Sequence, residues 1–144
     1  MGVDGTPGAA AAAQDLVALF RGLKARMRQL PSSGLTPSQS AVLLRLYDDG
    51  ASSTTVLALA EGVRSQSMTA TLNGLEELGL IERAADPEDG RRQIITLSPA
   101  GKRRGQEEKA GRSAWLAREL DRRFTAEQLA IINEALGLLG ALTQ

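Results

Sequence analysis

The stretch LALAEGVRSQSMTATLNGLEELGLIER, from Leu57 to Arg83, decides the fold. Its apolar residues recur three and four positions apart on both sides of Gly62, which indicates two short amphipathic helices joined by a tight turn. Ala58 is small where the two helices are expected to cross, and Val63 is expected to plug the turn. The back of the second helix would be buried through its large apolar residues, Met68, Leu72 and Leu75. These features, in this order, predict a helix-turn-helix.

The opposite face of the second helix carries short side chains, most of them polar. They are Ser65, Gln66, Ser67, Thr69, Ala70 and Asn73. Polar side chains near the start of such a helix can reach base edges in the major groove of DNA, and Gln or Asn can pair with adenine through two hydrogen bonds. The alternative is a helical hairpin in a core, with a polar face that is only solvated. The pattern alone leaves both interpretations open.

A β-hairpin is predicted directly after the two helices. Two short strands, marked by Leu80 and Ile81 before it and by Ile94, Ile95 and Leu97 after it, flank a turn that contains Pro, Asp and Gly at 86–90. Arg91 and Arg92 lie at the tip, and the negative potential of a narrow minor groove attracts arginine. The negative charge of Asp89 would repel phosphate unless its carboxylate is paired, so we expect it to pair with an arginine and hold the shape of the turn. The alternative is an ordinary solvated turn.

Further helices are predicted on both sides of this region. An amphipathic helix around Leu16 to Leu30 ends at Pro31, and Thr36 caps a helix that runs to about Asp48. Serine or threonine at 52–55 caps the next helix, and Ser65 is expected to cap the one after it. Downstream, 98–123 is predicted to be a long charged helix that packs on nothing, and the pair Thr125 and Gln128 has the form of a capping box before a final apolar helix.

The two ends of the chain are expected to pair with a second copy. The long charged helix has few apolar residues to pack on, while the last helix is apolar on more than one face. A homodimer, in which the ends of two copies cover each other, explains both features most simply. The expected class is mostly α with a small β-hairpin wing. The expected organisation is a flexible tail at 1–10, a dimerisation helix at 11–31, a winged helix-turn-helix DNA-binding region at 35–98 and dimerisation helices at 99–144.

Composition narrows the possible functions. The 144 residues carry 17 Lys and Arg against 17 Asp and Glu, so any DNA binding must come from local clusters of charge. There is no Cys and no His, which excludes disulfides, thiol or imidazole metal sites, a Cys nucleophile and a His base. No enzyme activity, cofactor or metal is therefore expected. Without an apolar run of membrane-spanning length, a cytoplasmic location is expected.

The wing region resembles the MarR family of winged-helix transcriptional regulators. The string LEELGLIERAADPEDGRRQIITLSPAG, residues 75–101, is similar to the wing signature of that family, a D-P-x-D-x-R turn followed by a strand and a helix start. The matching positions are Asp86, Pro87, Asp89, Arg91, Leu97, Ser98 and Gly101.

The resemblance implies a triangular homodimer that binds pseudo-palindromic operators, acts as a repressor and is released by a small aromatic or anionic ligand. It implies that Arg91 enters the minor groove, that Asp89 stabilises the turn and that the polar face of the second helix enters the major groove. It also implies an effector pocket between the dimer helices and the DNA-binding lobe, for which the candidates are Phe20, Met27, Leu46, Tyr47 and Trp115.

Two positions depart from the family pattern. Ala70 stands where many members carry an arginine, so a phosphate contact is lost there. Gly74 stands inside the second helix where a polar or basic residue is usual, and it costs about 1 kcal/mol of helix propensity against Ala. Both departures leave open a rival function, a winged-helix module that binds protein and no DNA. An enzyme is the other rival, although no residue spacing suggests a catalytic triad or a carboxylate pair.

Overall fold

The computed structural model describes residues 7–32 and 34–144. Within them the fold is mostly helical with one two-stranded antiparallel hairpin, as expected. The elements in chain order are α1 Pro7–Arg28, α2 Pro37–Asp49, α3 Thr54–Glu61, α4 Ser65–Glu77, β1 Ile81–Ala85, β2 Gln93–Leu97, α5 Pro99–Arg123 and α6 Ala126–Leu139, followed by a 3₁₀ turn at Gly140–Thr143.

The first helix begins earlier than the sequence pattern suggested. The tail was expected to extend to residue 10, but α1 already begins at Pro7, and the rest of the expected tail lies outside the described residues. Proline is well tolerated in the first turn of a helix, and the alanines that follow have the highest helix propensity. These local preferences explain the earlier start.

Side-chain caps fix the starts of three helices. The Thr36 hydroxyl accepts from the Gln39 amide, the Gln39 side chain accepts from the Thr36 amide, and Thr125 with Gln128 repeats this capping box at α6. Ser53 caps α3 by accepting from the Val56 amide. Ser65 was expected to cap α4, but this was wrong. Ser65 is the first helical residue and Arg64 is the N-cap, without a side-chain hydrogen bond.

The described chain divides into two compact units, one up to Glu108 and one from Lys109 to Gln144. The first unit holds a continuous apolar core built by α2, α3, α4 and the hairpin. Its buried members include Val42, Leu46, Leu57, Met68, Leu72, Leu75, Ile81 and Ile95. The predicted buried back of α4 is therefore confirmed, and this core is what holds α4 in place.

The turn between α3 and α4 is closed by backbone rather than by Val63. Gly62 adopts the left-handed conformation, with φ of 66°, and the Val63 amide donates to the Ala58 carbonyl at 3.0 Å. The Val63 side chain is 38% exposed, so the expectation that it plugs the turn was wrong. Ala58 is buried as predicted.

The first turns of α5 pack closely within the first unit, which corrects the expectation that this helix packs on nothing. Gly101 and Gly105 are its buried residues. A Cβ at Gly101 would overlap the carbonyl oxygen of Leu80, and a Cβ at Gly105 would lie 2.8 Å from a ring carbon of Tyr47. Apolar periodicity does not detect these contacts, because the α5 residues that make them are glycines, which have no apolar side chain.

The second unit exposes apolar side chains. No residue of α6 is buried, and Leu138 is 74% exposed. At the end of α5, Glu119 accepts hydrogen bonds from Arg122 and Arg123, and these bonds lower the pKa of its carboxyl group.

Within residues 7–32 and 34–144, no helix combines the length and the apolar character needed to span a membrane.

Candidate nucleic-acid interface

The outer face of α4 presents the residues predicted to read the major groove. Ser65, Gln66, Ser67, Thr69 and Asn73 are all exposed, as is Ala70. The Thr69 hydroxyl donates to the Ser65 carbonyl at 2.9 Å, so its hydrogen is directed back along the helix. The structure thus exposes these side chains on a helix whose back is anchored in the core, with Ser67 at the edge, where it also lines a small cavity beside Val42 and Met68.

Asn73 is bonded to the hairpin through a residue that the sequence did not single out. Its Oδ1 accepts from Nη2 of Arg83 at 2.7 Å, and Nε of Arg83 lies 2.6 Å from a carboxylate oxygen of Glu76. The two-bond pairing with adenine anticipated for Asn73 needs this Oδ1 to accept from the base. Arg83 occupies one of the two acceptor sites of that oxygen, so a base would have to use the other, and Arg83 also ties β1 to α4.

Gly74 does not belong to the outer face. A Cβ at Gly74 would collide with the side-chain amide nitrogen of Gln39, whose amide oxygen is held in the capping box of α2. The residue is therefore small because α4 passes closely over the start of α2.

The wing turn is held by its two aspartates. Asp86 accepts from the Glu88 amide at 2.9 Å, and Asp89 accepts from the Arg91 amide at 3.1 Å. Asp89 is thus engaged by the backbone of Arg91, whereas pairing with an arginine had been expected. The amide of Arg92 donates to the Asp89 carbonyl at 3.0 Å, which closes the turn.

Arg92 connects the wing to the start of α3. Its Nη2 donates to the Ser53 hydroxyl oxygen at 3.0 Å. At the middle of β2, Ser52 and Ile95 exchange two backbone hydrogen bonds of 3.0 and 2.7 Å. An open cleft of about 660 Å³ separates the wing from the start of α3, lined by Ser53–Thr55 and Asp89–Gln93. Sequence reasoning missed Ser53, because its partner lies 39 positions away.

The residues expected to line an effector pocket are only partly gathered. Leu46 and Tyr47 line an open cleft of about 760 Å³ together with Lys102 and Arg103. Phe20 is 66% exposed, Met27 is half-buried, and neither lines this cleft. Trp115 is half-buried and belongs to the second unit.

A cluster of polar side chains around the carboxylate of Glu108, which the sequence did not reveal, links the chain after α1 to α2 and α5. Ser40, which is buried, donates to one oxygen of Glu108 at 2.8 Å, and Ser32 donates to the other. Nε of Arg104 lies 3.3 Å from Glu108. Hydroxyl donors and a guanidinium together satisfy a charge that would be costly to bury alone. The cluster has a structural role.

These features define a winged helix-turn-helix protein. A short helix, a left-handed glycine turn, a second helix with a buried back and a polar front, and an arginine-tipped hairpin are the parts of a DNA-binding fold of this class.

Comparison with known proteins places the chain more closely. Residues 33–92 match the model of the MarR family. An HTH-type transcriptional regulator of Mycobacterium tuberculosis is 34% identical over 112 residues, which are 78% of each chain. The YusO protein of Bacillus subtilis is 26% identical, with a TM-score of 0.66 over 96% of this chain and 99% of that one. MarR of Escherichia coli in its apo form has the same fold, with 22% identity and a TM-score of 0.73 over 88% and 94% of the two chains. The protein belongs to the MarR family of transcriptional regulators.

Proposed function

We propose that this regulator acts as a homodimeric repressor on pseudo-palindromic operators, with α4 in the major groove and the wing at the adjacent minor groove. One observation carries the proposal. The polar outer face of α4 and the hairpin are bonded to each other through Asn73 and Arg83, which ties the two DNA-facing elements together.

The residues proposed to contact DNA follow from this arrangement. In the major groove they are Ser65, Gln66, Ser67, Thr69 and Asn73, and in the wing the proposed contact is Arg91, while Asp89 and Arg92 hold the wing in shape. Because the net charge of the chain is zero, attraction to phosphate depends on local groups rather than on the whole surface. Ala70 adds no cation, so Arg91 carries a large share of the binding.

The proposed dimer is built by the ends of the chain, 11–31 and 99–144. Exposed apolar side chains on α1, α6 and the final 3₁₀ turn support this, among them Val17, Leu19, Phe20, Ile131, Leu136, Leu138 and Leu142. A second copy would cover them and would place two α4 helices about 34 Å apart, which is one turn of DNA.

A small aromatic or anionic effector is proposed to release the operator. In the cleft beside Leu46, the cations Lys102 and Arg103 could bind an anionic group and Tyr47 an aromatic ring. Phe20, Met27 and Trp115 are proposed to complete a pocket in the dimer. An effector that prefers the non-binding form a hundredfold shifts the equilibrium by about 2.7 kcal/mol. No catalytic role and no cofactor are proposed, and the proposed location is the cytoplasm.

Selection of genomic fragments by the purified protein at about 150 mM salt tests this function. Enrichment of a pseudo-palindrome is expected. Arg91→Ala is expected to bind the best fragment at least tenfold more weakly with an unchanged melting temperature, because the wing tip is exposed. Failure to enrich any duplex from folded protein, even at low salt, would favour the protein-binding module instead.

A further inference from the structure

We propose that the two adjacent wing arginines have different tasks: Arg92 latches the wing to the start of α3, and Arg91 makes the DNA contact. The inference rests on the proposed function, since it concerns how the wing is presented to DNA. It assigns a positioning role to Arg92 and to its partner Ser53.

Arg92 is used on both its main-chain and its side-chain groups. Its amide donates to the Asp89 carbonyl at 3.0 Å, and its carbonyl accepts from the Asp86 amide at 2.9 Å. Its guanidinium donates to the Ser53 hydroxyl at 3.0 Å. By contrast, only the main-chain amide of Arg91 takes part in the turn, and its guanidinium has no hydrogen bond or ion pair within the described part of the chain.

Ser53 is a fixed anchor for this bond. It is 4% exposed, and its oxygen also accepts from the Val56 amide at 3.3 Å as the cap of α3. A hydroxyl oxygen has two acceptor sites, so it serves the helix cap and the guanidinium together. Because α3 packs against α4 through the core residues Leu57 and Leu72, a wing held at Ser53 is held relative to the reading helix.

Two attachments therefore set the angle of the wing. The paired backbone bonds of Ser52 and Ile95 hold the hairpin at the middle of β2, and the bond of Arg92 to Ser53 holds it near its tip. To reach a groove, Arg92 would have to give up its bond to Ser53. Arg91 has no such bond to lose, so its guanidinium is the one available to the minor groove.

The test measures affinity for the selected operator against salt concentration, for the full-length protein. Arg91→Ala is expected to reduce the slope of log affinity against log salt by about one, because a cation at the DNA is lost. Arg92→Ala is expected to bind roughly tenfold more weakly with the parental slope, because only the position of the wing changes. Arg92→Lys, which keeps a donor for Ser53, is expected to recover part of the loss.

A double-mutant cycle tests the latch itself. Ser53→Ala removes the same bond from its other end, so Ser53→Ala with Arg92→Ala is expected to lose no more affinity than Ser53→Ala alone. Losses from Ser53→Ala and Arg91→Ala are expected to multiply. Thr36→Ala is the matched control, because it removes a comparable cap from α2 and leaves the wing untouched. Its loss is expected to multiply with that of Arg92→Ala.

The outcomes separate the two proposals. If Arg92→Ala reduces the salt slope as Arg91→Ala does, or if the losses from Ser53→Ala and Arg92→Ala multiply, the latch is overturned while the proposed function stands. If the parent protein binds no duplex specifically, the proposed function is overturned and the latch with it.

Discussion

Single residues fix how α5 enters the first unit. Ser98 accepts from the Gly101 amide at 3.0 Å, and the Ser98 amide donates to the Leu80 carbonyl at 3.0 Å. Gly101 then lies directly against that same carbonyl group. Only a residue without a Cβ fits there, which gives the final glycine of the wing signature a packing role.

Gly101→Ala is expected to destabilise the protein by about 3 kcal/mol or more, because backbone must move to admit the methyl group. Gly111→Ala is the matched control, since it lies in the same helix with nothing within 4 Å of its Cβ position. That control is expected to gain up to about 1 kcal/mol from helix propensity. Urea unfolding measures both, and equal stabilities would contradict the packing role of Gly101.

Residue-level function was only partly predictable from the sequence. The outer face of α4 and the position of Arg91 follow from local periodicity and turn chemistry, which the sequence displays directly. The bonds of Arg83 to Asn73 and of Arg92 to Ser53 join residues 10 and 39 positions apart, and they depend on how separate elements are placed. No local pattern encodes them.

At the scale of elements, the crossing of α2 and α4 shows how a helix cap and a helix contact depend on each other. The Gln39 side chain completes the capping box of α2 with its oxygen and leaves its nitrogen against Gly74. Caps and apolar periods predicted most helix bounds, because they act within a few residues. The start of α4 was missed because Arg64 caps it without a side-chain bond.

Gly74→Ala is expected to gain less than the roughly 1 kcal/mol that helix propensity offers, because the new methyl group displaces the end of the Gln39 side chain and opens the capping box of α2. Placing the same change in a Gln39→Ala background removes the collision, so there Gly74→Ala is expected to gain the full contribution of helix propensity. Thermal unfolding of the four proteins measures the coupling. Additive effects would show that the two residues do not contact each other.

For the whole molecule, the balance of buried and exposed surface supports assembly. The first unit buries a continuous core, whereas α6 buries none of its residues and exposes several large apolar side chains. Single apolar residues on a surface are ordinary, but several large ones exposed on one helix are typical of a surface that binds another protein. The apolar composition of the last helix predicts the same assembly from the sequence alone.

Leu138→Asp is expected to shift the protein from dimer to monomer, because a buried charge without a partner opposes association. Leu59→Asp is the matched control, since Leu59 is 83% exposed but lies on α3, outside the proposed dimer helices. It is expected to leave the dimer intact. Sedimentation equilibrium distinguishes the two states, and a parent protein that is monomeric at micromolar concentration would contradict the proposed assembly.

The most direct test of the central claim compares the affinity of the parent protein for its selected operator with that for an unrelated duplex of equal length. Both titrations are made at about 150 mM salt, where non-specific binding is weak. The operator is expected to bind at least about a thousandfold more tightly than the unrelated duplex, as sequence-specific recognition requires. Equal affinities for the two duplexes would contradict the account.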